Sequence, residues 1–218
     1  MAEDGDPRGR SIRAGPALAA FWDERYHGAS RMFGAAPNAF IRANTPRPGT
    51  SARARVPGDG YGRNGVWLAT RGYRVLSVDI SPVAIEAARA FAAENGVEIE
   101  AEVVDLTDWT PEPEAFDLVA VAFVHFPEEE RIKAHARLVE ALAPGGLLML
   151  QAYSRNQIGR DSGGPQTPLL LHTTDQLAAD FASLEIERLA EAIVDLDEGT
   201  RHRGVSSVIE LLARKPAG

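Results

Sequence analysis

The 218-residue chain predicts an α/β fold: a mostly parallel sheet of seven strands, helices on both faces, and an antiparallel hairpin at its C-terminal edge. Three observations carry this. From about residue 52, strand-like and helix-like patterns alternate across short turns, which is how right-handed strand–helix–strand crossovers read in sequence. Residues 116–123 are almost wholly apolar, as a central parallel strand covered on both faces should be. The last two strand patterns, 184–195 and 205–214, have no helix between them, so they pair as an antiparallel hairpin.

The elements follow in order. Residues 1–15 mix Gly, Pro, Arg and Asp without periodicity and predict a flexible tail. Residues 16–30 predict a helix, with Leu18, Phe21, Trp22 and Tyr26 on one apolar face. Residues 35–50, rich in Pro, Gly and Asn, predict a loop with short turns. Together 16–50 form a candidate lid on a main domain at 51–216. A strand at 52–57 is weakened by its two Arg, and a helix at 62–71 is stopped by Gly72. After a strand at 73–79, Ser81 and Pro82 give an N-cap and first helical residue, and that helix ends at Asn95-Gly96. A third strand spans 97–104. The helix after Pro127 opens with Glu128, Glu129 and Glu130, which suit the helix dipole. Pro144-Gly145-Gly146 turns the chain into a fifth strand at 147–153, and a last helix spans 174–181.

Composition narrows the function. With no cysteine, thiolate nucleophiles, disulfides and Cys-ligated metals are excluded. Five histidines without ligand spacing (His27, His125, His135, His172, His202) predict no metal site. The longest apolar run, 118–124, is far short of the roughly 18 residues a membrane span needs. No secretory pattern opens the sequence, so the cytoplasm is the expected location. The net charge of −8 disfavours nucleic-acid partners. Residues 1–55 nevertheless carry nine Arg against five acids, which suits either a solvated arm or a basic lid over an acidic pocket.

Gly58-Asp59-Gly60-Tyr61-Gly62-Arg63-Asn64 falls between the first strand and the first main-domain helix. Glycines there allow a tight turn and bring a ligand against backbone amides at a helix N-terminus. Asp79 ends the second strand, where a carboxylate can accept both hydrogen bonds of a ribose diol. Asp105 ends the third, where it can accept from an exocyclic adenine amine while Leu106 offers apolar contact. All three lie along the carboxyl edge of one sheet. The G-x-G-x-G spacing and Asp105 argue against a nicotinamide dehydrogenase.

These residues resemble the class I S-adenosylmethionine-dependent methyltransferases, and within them the small tellurite-resistance and thiopurine-type enzymes. The likeness rests on Phe21-Trp22-Asp23-Glu24-Arg25-Tyr26, the glycine turn with Val66-Trp67-Leu68-Ala69, and Val78-Asp79-Ile80-Ser81-Pro82. It continues through Asp105-Leu106, Phe116-Asp117-Leu118-Val119, Pro144-Gly145-Gly146 and Glu198-Gly199-Thr200-Arg201-His202-Arg203, over residues 20–216. It implies a Rossmann-like sheet, S-adenosylmethionine as cofactor and S-adenosylhomocysteine as product. The implied cofactor set is Gly58, Asp59, Gly60, Gly62, Arg63, Asn64, Asp79, Ile80, Asp105, Leu106 and Ala122, closed over by Trp22 and Tyr26. The family usually carries an acid two residues before the first glycine, where this chain has Val56. Either Asp59 or the N-terminal segment replaces it, or cofactor affinity is lower.

The resemblance also implies in-line methyl transfer to a small molecule: a thiol, a metalloid oxyanion or a secondary metabolite. It implies His202 as base or orienting group and Arg203 as anion anchor, set against a plain polar turn. His125, after the fourth strand, is a catalytic candidate or a structural cap, and His135, mid-helix, is expected on the surface. Gly163-Gly164-Pro165 suits a substrate rim, with Arg155 and Arg160 nearby to attract an anion. The stretch Ala122-Phe123-Val124-His125-Phe126-Pro127 lacks the Asn/Asp-Pro-Pro-aromatic pattern of amino-methylating nucleic-acid enzymes. The expected state is a monomer or homodimer. The alternative to an enzyme is a catalytically weak or inactive cofactor-binding protein of the same fold.

Overall fold

The computed structural model describes residues 15–27 and 31–217. The expected tail at 1–15 lies outside them except for Gly15, as do 28–30 of the expected first helix. One seven-stranded sheet runs in the order β3-β2-β1-β4-β5-β7-β6. Its strands are β1 (Arg53–Pro57), β2 (Arg74–Asp79), β3 (Glu100–Val103), β4 (Phe116–Ala122), β5 (Leu142–Tyr153), β6 (Glu185–Glu198) and β7 (His202–Arg214). The first five pair in parallel; β7 runs antiparallel between β5 and β6. The expected edge hairpin is therefore present, with the last strand inserted inside it.

Among the described residues, six α-helices accompany the sheet: α1 (Pro16–His27), α2 (Ala39–Asn44), α3 (Arg63–Thr70), α4 (Pro82–Glu94), α5 (Glu128–Ala141) and α6 (Thr174–Asp180). Central β4 shows why both faces are covered. Val119 and Val121 join one core cluster with Leu138 of α5, Leu177 of α6 and Phe181 just past its end. Leu118 and Ala120 join another with Phe40 and Ile41 of α2 and Leu68 of α3. Alternate side chains of a strand point to opposite faces, so a continuous apolar run needs two layers of helix.

Three local expectations are corrected. The loop at 35–50 contains α2, nucleated by Asn38, whose side chain accepts the Ile41 N–H at 3.0 Å. Its Phe40 and Ile41 are buried, so this stretch is part of the core and not merely a joint. Pro144-Gly145-Gly146 does not precede β5 but lies within it, where the pairing with β4 shifts register. The hairpin strands also run further towards each other than expected, with Glu198 paired to His202.

Candidate functional site

The carboxyl ends of β1, β2 and β4 open onto one cavity of about 400 Å³. Its floor begins at the glycine turn. Gly58, Gly60 and Gly62 all sit at positive φ (63°, 60° and 85°), a conformation that side chains disfavour. A Cβ on Gly58 would collide with Val124. Gly58 lines the cavity, as do Asp59, Arg63, Asn64, Asp79, Ile80, Asp105, Leu106 and Ala122, all of the expected set. Gly60 and Gly62 shape the turn instead, Gly60 beneath the Tyr26 hydroxyl and Gly62 against Ala88 of α4.

Asp79 accepts backbone N–H bonds from Gly60 at 2.9 Å and Ser81 at 3.0 Å. Burial pushes its carboxyl up to about 6 despite these donors. Asp105 accepts from the Thr107 N–H (2.9 Å) and hydroxyl (2.7 Å) through Oδ1, and Oδ2 has no partner among the described residues. Asp59 is turned inward. It accepts from the Asn64 and Gly65 amides at 3.1 and 2.9 Å and from the Ser77 hydroxyl at 2.9 Å, so it caps α3. Burial raises it to about 7. Its oxygens accept three bonds within the turn and its neighbours while it lines the cavity, and Val56 is core.

Arg63 donates to Glu198 at 2.7 Å and to the Phe33 carbonyl at 3.2 Å. Both members of the ion pair are buried. Glu198 also accepts from the Asn38 side chain at 3.0 Å and the Ala39 N–H at 3.1 Å. One acid at the hairpin tip thus ties together α2, α3 and β6.

Above the turn, Leu18, Phe21, Trp22 and Tyr26 of α1 line the cavity, and Asp23 accepts from the Ser81 hydroxyl at 2.5 Å. The opposite end is aromatic. The His202 ring lies 4.6 Å from Phe33, 4.4 Å from Phe123 and 5.6 Å from Tyr153, centroid to centroid. His202 Nδ1 is enclosed without a hydrogen-bond partner among the described residues. Burial, then the Arg63 charge, lowers its basicity well below the usual imidazole value. Phe123 holds a φ of 56°, strain that sequence inspection carries no signal for. His125 lines the same wall; its Nδ1 bonds the Leu170 carbonyl at 2.8 Å, and its Nε2 is enclosed. Burial pushes it down to about 4.

Three expected placements fail. Arg203 does not line the cavity: its side chain is 76% exposed, 3.9 Å from Asp197. Consecutive strand residues face opposite ways, so with His202 inward Arg203 must point out. His135 is buried, its Nδ1 2.7 Å from Asp180. It belongs to a cluster with His172 and His125 (centroids 6.1 and 5.1 Å apart), which chain spacing does not reveal. Arg155 and Arg160 lie outside the cavity, whereas Gly164 and Pro165 line it.

Comparison with known proteins accords with this geometry. Residues 57–146 match a family described as methyltransferase domain. Over 111 residues the chain is 28% identical to the 2-heptyl-1-hydroxyquinolin-4(1H)-one methyltransferase of Mycobacteroides abscessus, covering 50% of this chain and 49% of that protein. The match thus spans about half the length of the curated relative. A solved structure described by the conversion of a disulfide bond into a thioacetal group during echinomycin biosynthesis superposes with a TM-score of 0.75 at 23% identity, covering 92% of this chain and 93% of that one. TehB from Haemophilus influenzae superposes with a TM-score of 0.61 at 19% identity, covering 76% and 58%. The sheet order and these likenesses show a Rossmann-like methyltransferase fold, and the chain is similar to methyltransferases, TehB among them.

Proposed function

We propose that the protein transfers the methyl group of S-adenosylmethionine to a small-molecule acceptor and releases S-adenosylhomocysteine. The observation that carries this is the pair Asp79 and Asp105, at or just past the ends of adjacent strands, opening with the glycine turn onto one cavity. The residues fit the cofactor. Asp79 has two backbone donors and keeps oxygen lone pairs for the ribose diol. Asp105 Oδ2 would accept from the adenine amine, and Ile80 and Leu106, which line the same end, would offer the ring apolar contact. When bound, the cofactor supplies an activated methyl on a sulfonium centre. The chain's own part is to hold it, orient the acceptor and exclude water. Within segment 16–50, α1 acts as the lid, with Trp22 and Tyr26 closing over the cofactor side, while Arg63 and Glu198 hold Phe33 and Asn38 beside the glycine turn. His202 and His125 mark the acceptor side. A small-molecule acceptor agrees with a curated relative named for a quinolinone.

Calorimetric titration with S-adenosylhomocysteine, with NADH as control, tests the reading. Micromolar binding of the first and none of the second is expected. Asp79→Ala is expected to weaken binding by on the order of tenfold or more, since a charge-assisted hydrogen bond contributes about 1.5–3 kcal/mol. Unchanged affinity in that variant would remove Asp79 from the site.

A further inference from the structure

We infer that the acceptor is an uncharged, planar aromatic compound bearing an acidic hydroxyl, held in the aromatic end of the cavity with that hydroxyl on His202 Nε2. This rests on the methyl-transfer reading above and names the substrate class it leaves open.

The charge distribution of the wall comes first. Phe33, Phe123, Phe126, Tyr153 and Leu170 surround the acceptor end. The one cationic side chain lining the cavity, among the described residues, is Arg63, and Glu198 neutralises it at 2.7 Å. The lining acids are Asp59, Asp79, Asp105 and Glu130. An oxyanion entering this end would lose water and meet ring faces, while Arg63 is already committed to Glu198. The arginine expected to anchor an anion, Arg203, points to solvent. An uncharged ring gains burial there, and aromatic walls reward a flat partner.

The imidazole then sets the acidity. With His202 Nδ1 enclosed, Nε2 is the nitrogen that can meet a ligand. Buried beside Arg63, the ring is the free base at neutral pH and a weak proton acceptor. A weak base takes a proton only from an acidic donor, so an aromatic or nitrogen-linked hydroxyl fits better than an alkanol. In the transfer step the acceptor oxygen bonds the methyl carbon. The carbon–sulfur bond breaks with its electron pair passing to sulfur, and the hydroxyl proton passes to Nε2 and on to water. Charge balances, because the sulfonium's positive charge leaves as that proton.

The test uses the full chain saturated with S-adenosylhomocysteine, titrated calorimetrically with 2-naphthol and with 6-hydroxy-2-naphthoate. The same acceptors, and selenite, are offered with S-adenosylmethionine and products read by mass spectrometry. Naphthol is expected to bind roughly tenfold or more tightly than its carboxylate analogue and to be O-methylated, while selenite is not. His202→Ala is expected to lose most of the turnover and the pH dependence of naphthol binding while keeping S-adenosylhomocysteine affinity. Equal or tighter binding of the carboxylate, methylation of selenite, or binding of neither naphthalene by cofactor-saturated protein would overturn the inference. Failure of S-adenosylhomocysteine itself to bind would instead overturn the functional reading beneath it.

Discussion

At Asp79, two backbone N–H donors and full burial oppose one another, and burial wins: the carboxyl rises to about 6. Ribose hydroxyls donate to a carboxylate, so cofactor binding selects the ionised form. Affinity for S-adenosylhomocysteine is therefore expected to fall as pH drops through about 6 and to level off above it; titrations from about pH 5 to 8 check this. A flat profile would place the ribose elsewhere. Arg55 offers a second test at this scale. It is buried, with Nε and one Nη unpartnered among the described residues and its guanidinium 3.6 Å over Trp109; burial lowers it to about 10, against the attraction of Glu102. It forms no ion pair among the described residues, so an apolar side chain of similar length avoids its desolvation cost. Arg55→Met is expected to hold or raise the urea midpoint, and a clear drop would show that stacking on Trp109 outweighs desolvation.

At the scale of elements, the hairpin β6–β7 decides which end of the cavity His202 occupies. The polar stretch Glu198-Gly199-Thr200-Arg201-His202-Arg203 reads locally as a loop, yet the ladder continues to the Glu198–His202 pair. The reason is tertiary: Glu198 is held by Arg63, Asn38 and Ala39, and Arg201 N–H donates to the Met32 carbonyl at 3.2 Å. Partners more than 130 positions away leave no mark on local pattern. Removing one member of such a buried pair costs about 3–5 kcal/mol, so Glu198→Ala is expected to lower stability by that amount in urea unfolding. A loss under about 1 kcal/mol would mean the pair is not what clamps the tip. By contrast, the Ser81-Pro82 start of α4, the glycine turn, and the acids near the ends of β2 and β3 were legible because each is a local signal. Arg203 was misplaced for lack of one fact, that His202 lies in a strand and not a turn.

For the whole molecule, the fold gathers what the sequence scatters. His125 stacks on His172, His135 lies tilted against His172, and Asp180 receives both His135 and Arg131. Burial lowers all three imidazoles, His125 to about 4 and His172 to about 2. A histidine whose folded pKa lies below its unfolded value near 6.5 contributes stability above that value and loses it as pH falls. The melting temperature is expected to drop between about pH 7 and 5, and His172→Gln is expected to reduce that drop. An unchanged melting temperature over this range would contradict the buried cluster. A crystal structure with S-adenosylhomocysteine distinguishes a cavity that takes cofactor and acceptor at opposite ends from one that does not. The ribose is expected on Asp79, the adenine at Asp105 and Leu106, and the sulfur facing the His202 wall. A nucleoside bound elsewhere, or one whose sulfur faces away from His202, would contradict it.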